Sequence, residues 1–145
     1  MRLLGLDLGS RTLGVAISDK TGTIANNVKT IRHNEDYDYL VGEVCDLVRE
    51  YEVEKIVLGF PKNMNGTIGP KGELSIDFKE KLENVLSIPV VLQDERLSTK
   101  SATDMLISGN VSRRKRHKVV DSVAATIILQ SYLDKGDVWY EEKYI

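Results

Sequence analysis

Three β-rich runs at the start of the chain are joined by connections that are too short to hold helices. Residues 2–8 and 12–18 are separated by Gly9-Ser10-Arg11, and Lys20-Thr21-Gly22 leads into a third run near residues 23–31. Short glycine-containing connections between such runs are typical of hairpins. Because parallel strands need a crossover of a dozen or more residues, the first three strands are predicted to form an antiparallel meander.

From about Asp36 the pattern changes to helices that alternate with strands. The segment Lys55–Phe60 is almost continuously apolar, as expected of a central strand that is covered on both faces. Residues 61–72, rich in Asn, Gly and Pro, form the longest predicted loop, and residues 88–92 form a fifth strand. The predicted order is βββαβαβαα, an α/β fold with a mixed five-stranded sheet.

Four helices are expected in this order, each with its own apolar residues. The first is predicted to bury Leu40, Val44, Leu47, Val48 and Tyr51. The second, which ends near Leu86, is predicted to bury Leu74, Phe78, Leu82 and Val85. The third follows a cap at Ser98 or Thr99 and carries Ala102, Met105 and Leu106. The fourth is expected from about residue 119 to residue 133.

Length and composition favour one globular domain without a membrane span. The 145 residues are 41% hydrophobic and 29% charged, and the formal net charge is −2. We expect a domain over residues 1–134 and a C-terminal tail over 135–145. The N-terminus leads directly into a strand, which is not the pattern of a signal peptide. A single cysteine, Cys45, excludes an internal disulfide and fits a cytoplasmic protein.

Three acidic residues stand at the ends of predicted elements. Asp7 ends the first apolar run, Glu95 follows the fifth strand, and Asp121 opens the last apolar helix pattern. A carboxylate beside a strand that is buried on both faces is costly unless opposite charge compensates it. Because oxygen ligands suit Mg²⁺ and Mn²⁺, the three carboxylates predict a metal-dependent site for phosphodiester chemistry.

Four sequence blocks carry a resemblance to a known family. They are Gly5-Leu6-Asp7-Leu8-Gly9-Ser10-Arg11-Thr12-Leu13-Gly14-Val15-Ala16, then Gly59-Phe60-Pro61-Lys62-Asn63-Met64-Asn65-Gly66, then Asp94-Glu95-Arg96-Leu97-Ser98-Thr99, and the segment 118–125. In this order and spacing they resemble the YqgF family, also called RuvX, of pre-16S rRNA nucleases or Holliday-junction-resolvase-like proteins. The resemblance implies a ribonuclease H-like fold in which Asp7, Glu95 and Asp121 converge as catalytic metal ligands.

The three acidic site residues also have interpretations without function, and for Asp7 it is that of a turn residue ahead of Gly9. Asp94 and Glu95 alternate faces if the strand continues, so only one of them can point into the site, and the resemblance favours Glu95. These acids could instead form surface ion pairs or cap the next helix, and Asp121 in a first helical turn could simply interact with the helix dipole.

Polar and basic residues near these acids are candidates for nucleic-acid binding. The candidates are Lys62 and Asn63 in the longest loop, Arg96, and Arg113, Arg114, Arg116 and Lys118 in the basic run before Asp121. Side chains of this kind would hold backbone phosphates in a salt-sensitive way. Otherwise the run 113–118 is a solvated loop.

The leading hypothesis is a nuclease that uses Mg²⁺ or Mn²⁺ and, as the family implies, trims the 5′ end of pre-16S rRNA. Its partner would be structured RNA, or branched DNA if the chain is instead a resolvase of four-way junctions, which would require a two-fold dimer. The sequence leaves a monomer and a homodimer open. Two further alternatives are an actin-like kinase or ATPase, which needs a second lobe, and a catalytically silent binding module.

Overall fold

A mixed five-stranded sheet with helices on both faces forms the centre of the computed structural model. The structure describes residues 2–61, 67–94 and 113–134, and describes side chains in the last segment only from residue 123. The strands are β1 (Leu3–Leu8), β2 (Thr12–Ser18), β3 (Ala25–Arg32), β4 (Lys55–Phe60) and β5 (Val90–Asp94). The helices are α1 (Tyr37–Tyr51), α2 (Pro70–Val85) and α3 (Arg113–Asp134).

The strand order is β3-β2-β1-β4-β5. Strands β1, β2 and β3 pair antiparallel, whereas β4 pairs parallel with both β1 and β5. The predicted meander and the predicted parallel extension are therefore both confirmed. The predicted helix around Ala102, Met105 and Leu106 lies outside the described residues.

Two hydrophobic cores lie on opposite faces of the sheet. The larger core joins the sheet to α1 and α2, and its strand residues include Leu4 and Leu58. The smaller core joins the sheet to α3 and includes Leu3, Val57 and Ala125. Successive residues of β1 and β4 therefore alternate between the cores, which explains why both strands are apolar almost throughout.

Helix α1 follows its sequence prediction. Asp36 caps its N-terminus by accepting a hydrogen bond from the Tyr39 amide at 3.0 Å. The predicted residues face the first core: Leu40, Val44 and Leu47 are buried, and Val48 and Tyr51 pack at its edge.

Helix α2 departs from its prediction at its start and in its buried face, whereas its end at Val85 agrees with the predicted end near Leu86. It begins at Pro70, inside the predicted loop, where proline is compatible with a first helical turn. Phe78 and Leu82 are buried as predicted, but Leu74 and Val85 are exposed. The buried stripe instead continues through Ser75 and Gly72, because small side chains let the first turn of α2 approach the end of β4.

The last helix begins six residues earlier than its apolar pattern indicates. Helix α3 starts at Arg113, so the basic run is helical and the prediction of a loop before residue 119 is wrong. Arginine and lysine are good helix formers, but they carry no apolar period that would mark a helix. Asp121 consequently lies more than two turns inside α3, and the alternative in which it serves the dipole of a first turn is excluded.

Candidate active site at the carboxyl edge of the sheet

Three parallel strands end together at one edge of the sheet. In the β1–β4 register Leu6 pairs with Leu58, and in the β4–β5 register Leu58 pairs with Leu92. One residue further along each strand, Asp7, Gly59 and Gln93 therefore lie in one row. Ligands of α/β proteins commonly bind at the carboxyl ends of parallel strands, so this row marks the candidate site.

Asp7 lies in this row as a half-buried carboxylate within β1. Its neighbours Leu6 and Leu8 face the core of α1 and α2, so alternation places Asp7 on the α3 face. On β2 its partner is Gly14, and on β4 the residue in its row is Gly59. Neither glycine contributes a side chain beside Asp7.

Helix α3 runs antiparallel to β1 across this face. Near the amino end of β1, the Lys55 ammonium donates to the Tyr132 hydroxyl at 3.1 Å, and the Ala25 amide donates to Gln130 Oε1 at 2.9 Å. Two residues before Asp7, Gly5 lies beneath Ala125 and Leu129. The strand rises roughly 7 Å from Gly5 to Asp7.

A similar distance along α3, in the direction from Gly5 to Asp7, leads from Ala125 to position 121. Four helical residues span about 6 Å, and residues four apart lie on the same side of a helix. Position 121 therefore lies towards the same end of the sheet as Asp7, on the stripe of α3 that contains Ala125 and Leu129. The structure brings Asp7 and position 121 to the same edge of the sheet.

The side chains of β5 alternate between the two faces of the sheet, and this alternation bears on the roles of Asp94 and Glu95. Leu92 packs against the core of α1 and α2, and Val91 packs against the core of α3. Gln93 is buried, with 6% of its surface exposed, and alternation puts it on the same face as Asp7. Asp94 is exposed and falls on the opposite face. Glu95 lies outside the described residues.

The donor chemistry at this edge fits a hard divalent cation. Carboxylate oxygens are the ligands that Mg²⁺ and Mn²⁺ prefer, and the residues beside Asp7 on both neighbouring strands are glycines. Within the described ranges no group of three or more His, Cys, Asp and Glu side chains is assembled. Neither Glu95 nor the side chain at position 121 belongs to those ranges.

Of the residues predicted to bind nucleic acid, some lie outside the described residues and the others are described only by their position on α3. Lys62, Asn63 and Arg96 lie outside the described residues. The basic positions Arg113, Arg114, Arg116 and Lys118 form the first turns of α3. These turns precede position 121 on a helix that runs antiparallel to β1, so the basic run lies nearer to the site than to the opposite edge.

Sequence reasoning missed a basic cavity at the same edge. It has a volume of about 250 Å³ and is lined by Arg11, Arg32, His33 and Asn34. Arg11 lies in the β1–β2 turn and Arg32 ends β3, so pairing of the strands is needed to bring them together. The available signal was Arg11 itself, which stands in the same block as Asp7.

Comparison with protein-family models shows to which family the chain belongs. The family model described as "RuvX: Holliday junction resolvase" matches residues 1–135. The chain belongs to the RuvX family. The resemblance predicted from the four sequence blocks is confirmed.

Two Bacillus relatives match over nearly their whole length. A Bacillus licheniformis protein named "Putative pre-16S rRNA nuclease" is 58% identical over 135 residues, which are 92% of this chain and 97% of that protein. A Bacillus subtilis protein of the same name is 56% identical over 135 residues, which are 92% of this chain and 98% of the relative.

A solved structure shares the fold of this RuvX protein at low sequence identity. Thermus thermophilus RuvC in complex with a Holliday junction substrate superposes with a TM-score of 0.59 at 12% identity, covering 94% of this chain and 96% of the other. At this identity the likeness concerns the fold alone, and it confirms the predicted ribonuclease H-like architecture.

Within the described ranges, no helix combines the length and hydropathy needed to cross a bilayer.

Proposed function

We propose that this RuvX protein is a metal-dependent nuclease that hydrolyses phosphodiester bonds at the carboxyl edge of its sheet. Its substrate is pre-16S rRNA, which it trims at the 5′ end. The observation that carries the proposal is the position of Asp7: a half-buried carboxylate with glycine on both neighbouring strands, at the same end of the sheet as position 121 of α3. The names of its Bacillus relatives support the same activity.

Asp7, Glu95 and Asp121 would supply the carboxylates that hold Mg²⁺ or Mn²⁺. If the strand continues past Asp94, alternation favours Glu95 over Asp94, because Gln93 shares the face of Asp7 and residue 95 is two positions further on. When bound, the divalent ion would activate water for attack and stabilise the charge that develops on the phosphate.

The remaining residues would bind and position the substrate. Gly14 and Gly59 would let a sugar–phosphate backbone approach Asp7 closely, since neither residue has a Cβ in its path. The basic turns at the start of α3 would hold neighbouring phosphates without reading bases. Lys62, Asn63 and Arg96 follow strands that end at this edge, and we assign them to the same substrate.

Asp7→Asn tests the proposal, since it preserves the shape of the side chain and removes its charge. A labelled pre-16S RNA fragment is incubated with wild type and variant in Mg²⁺, in Mn²⁺ and with chelator. We expect metal-dependent cleavage by wild type and none by the variant. Asp77→Asn, the same change on the surface helix α2, is the matched control and should cleave normally. A folded Asp7→Asn protein that cleaves like wild type would refute the assignment.

A second candidate substrate is four-way DNA, because the matching family model is described as a Holliday junction resolvase. The carboxylate chemistry would be the same, but symmetric cleavage of a junction needs a two-fold dimer. Junction DNA is therefore assayed beside the RNA, and the mass of the protein in solution is measured with each. Preferential cleavage of the junction by a dimer would favour the resolvase.

A further inference from the structure

The cavity beside the β1–β2 turn is open to solvent and positively charged. Arg11, Arg32 and Asn34 are exposed around it, whereas His33 is buried at 6% exposure. Among the described residues, no carboxylate lines the cavity. Its volume of about 250 Å³ is several times the roughly 30 Å³ that one water molecule occupies in the liquid, so it has room for a phosphate group.

His33 fixes the backbone around this cavity. Its amide donates to the Arg11 carbonyl at 3.0 Å, and its Nδ1 accepts from the Glu35 amide at 3.0 Å. Since Nδ1 is an acceptor, the hydrogen of the neutral ring is on Nε2, which lies 3.1 Å from the Gly9 carbonyl and can donate to it. The turn between Gly9 and Thr12 is also closed by their backbone hydrogen bond of 2.7 Å. The backbone of Arg11 is thereby held in place.

The two guanidinium groups are not neutralised by the part of the chain that the structure describes. There, the ion pairs involve Arg49, Lys79 and Lys81, and none involves Arg11 or Arg32. Of the two acids that follow Asn34, Asp36 accepts the capping hydrogen bond of Tyr39, and neither Asp36 nor Glu35 lines the cavity. Two exposed arginines at such a cavity favour an anion, and guanidinium groups bind phosphate oxygens in a bidentate manner.

The cavity lies close to Asp7 without including it. Asp7 pairs with Gly14, Gly14 pairs with Thr30, and Arg32 is two residues beyond Thr30. Two strand spacings and two residues along a strand separate the Cα atoms of Asp7 and Arg32 by roughly 12 Å. Ile31 faces the core of α1 and α2, so Arg32 is on the face of Asp7. A phosphate held here would belong to a nucleotide near the scissile bond, not to the scissile bond itself.

We infer that Arg11 and Arg32 form a binding cleft for a backbone phosphate of the nucleic acid strand whose cleavage occurs at Asp7, an inference that rests on the proposed nuclease function. The cleft would position the strand on the meander side of the site, whereas the basic turns of α3 would hold it from the helix side. It would not discriminate between bases, because both arginines contact phosphate.

The test measures binding without cleavage. Labelled single-stranded RNA is titrated with protein in chelator at several salt concentrations. Arg11→Ala with Arg32→Ala should weaken binding about 10- to 100-fold, as expected when charge-assisted hydrogen bonds are lost. The slope of log affinity against log salt should shrink by about 0.7 units, the value for one phosphate contact to a single strand. Arg11→Lys with Arg32→Lys should restore most of the slope because it restores the charge.

The matched control is Arg49→Ala with Lys79→Ala, which removes two positive charges from exposed or half-exposed positions of α1 and α2. It should leave affinity and slope at wild-type values. Equal effects of the two double variants would overturn the cleft, because they would reflect net charge alone. An unchanged slope in the Arg11 and Arg32 variant would overturn it as well.

Two further arms separate other outcomes. In the first, inorganic phosphate is titrated alone. If phosphate binding depends on Arg11 and Arg32 but RNA binding does not, the cavity is a free-anion site and the inference is overturned. Asp7→Asn, run in parallel, should bind RNA like wild type without cutting it in metal. If Asp7→Asn still cuts but the arginine variant loses RNA binding, the cleft stands and the catalytic assignment fails. If cleavage depends on Asp7 but binding is independent of the arginines, the cleft fails and the nuclease assignment stands.

Discussion

Leu129 of α3 lies directly over Gly5 of β1. A Cβ built on Gly5 would come within 2.7 Å of Leu129 Cβ and 3.1 Å of the Ala125 backbone oxygen. Real Cβ atoms do not approach other atoms this closely, so any larger residue would push the helix away from the sheet. The contact sets the height of α3 above β1, and hence the separation between Asp7 and position 121.

Gly5→Ala is therefore expected to affect both stability and activity. Insertion of a methyl group into this contact should lower the free energy of unfolding by about 1–3 kcal/mol, the usual cost of overpacking. Cleavage should fall in the variant even where it is fully folded, because α3 carries Asp121. Urea denaturation and single-turnover cleavage measure the two effects.

The control is Gly42→Ala on the exposed side of α1, where an added Cβ meets nothing within 4 Å. Alanine in a helix interior should raise stability by about 0.5–1 kcal/mol with no change in cleavage. A Gly5→Ala protein as stable and active as this control would show that α3 does not depend on the close contact.

The strands were predicted well from their apolar runs. The helices were predicted less well, because the pattern of apolar residues did not give the buried face of α2 or the start of α3. The runs of β1 and β4 are readable because both faces are covered, so nearly every residue is apolar. Leu74 and Val85 continue an apolar period, yet both are exposed, because the buried stripe of α2 runs through Gly72 and Ser75 at its first turns. The start of α3 was missed for the opposite reason, since Arg113 and its neighbours form helix without an apolar stripe.

The sequence indicated candidate acids for the site but not the arginines of the cavity. Asp7 stands out in the sequence alone, because a carboxylate inside a strand requires an explanation. Arg11 and Arg32 are distant in sequence, and only the pairing of Thr12 with Arg32 across the meander joins them. The level of Asp121 relative to Asp7 likewise needs the antiparallel direction of α3, which no spacing in the sequence encodes.

Asp19 should make stability depend on pH in the acid range. Its carboxylate accepts hydrogen bonds from the Thr21 hydroxyl and from the Ile24 and Thr23 amides, which lower its pKa from 3.8 to about 2. Because the folded pKa is the lower one, the stabilisation is present above the unfolded value and is lost as pH falls from about 4 towards 2.

Asp19→Asn should accordingly be less stable than wild type at pH 6, and the difference should narrow as pH falls through this window. Urea denaturation from about pH 6 down to about pH 2.5 measures it across that range. Asp77→Asn removes a carboxylate from the surface helix α2 and should follow the wild-type curve. A constant gap between wild type and Asp19→Asn at every pH would show that the ionised form of Asp19 is not what holds the β2–β3 turn.

Glu95 and Asp94 should differ in their contribution to cleavage. Gln93 is on the Asp7 face and Asp94 is on the other, so a continuing strand returns residue 95 to the site. Glu95→Gln should lose most metal-dependent cleavage, whereas Asp94→Asn should lose less, within the roughly 10- to 100-fold typical of groups that only orient a ligand. Cleavage rates at saturating Mn²⁺ decide the ranking. The reverse order would mean that the chain changes register after Gln93.

The basic turns of α3 should contribute unequally to substrate binding because they are helical. At about 100° per residue, position 114 lies roughly 20° from position 121 around the helix, whereas position 116 lies roughly 140° from it. Arg114→Ala should therefore weaken RNA binding and reduce the salt slope by about 0.7 units for one lost phosphate contact. Arg116→Ala, which removes the same charge from the opposite side, should change the slope little. Titrations in chelator compare the two variants directly, and a larger effect at Arg116 would place the substrate on the outer side of α3, away from Asp7.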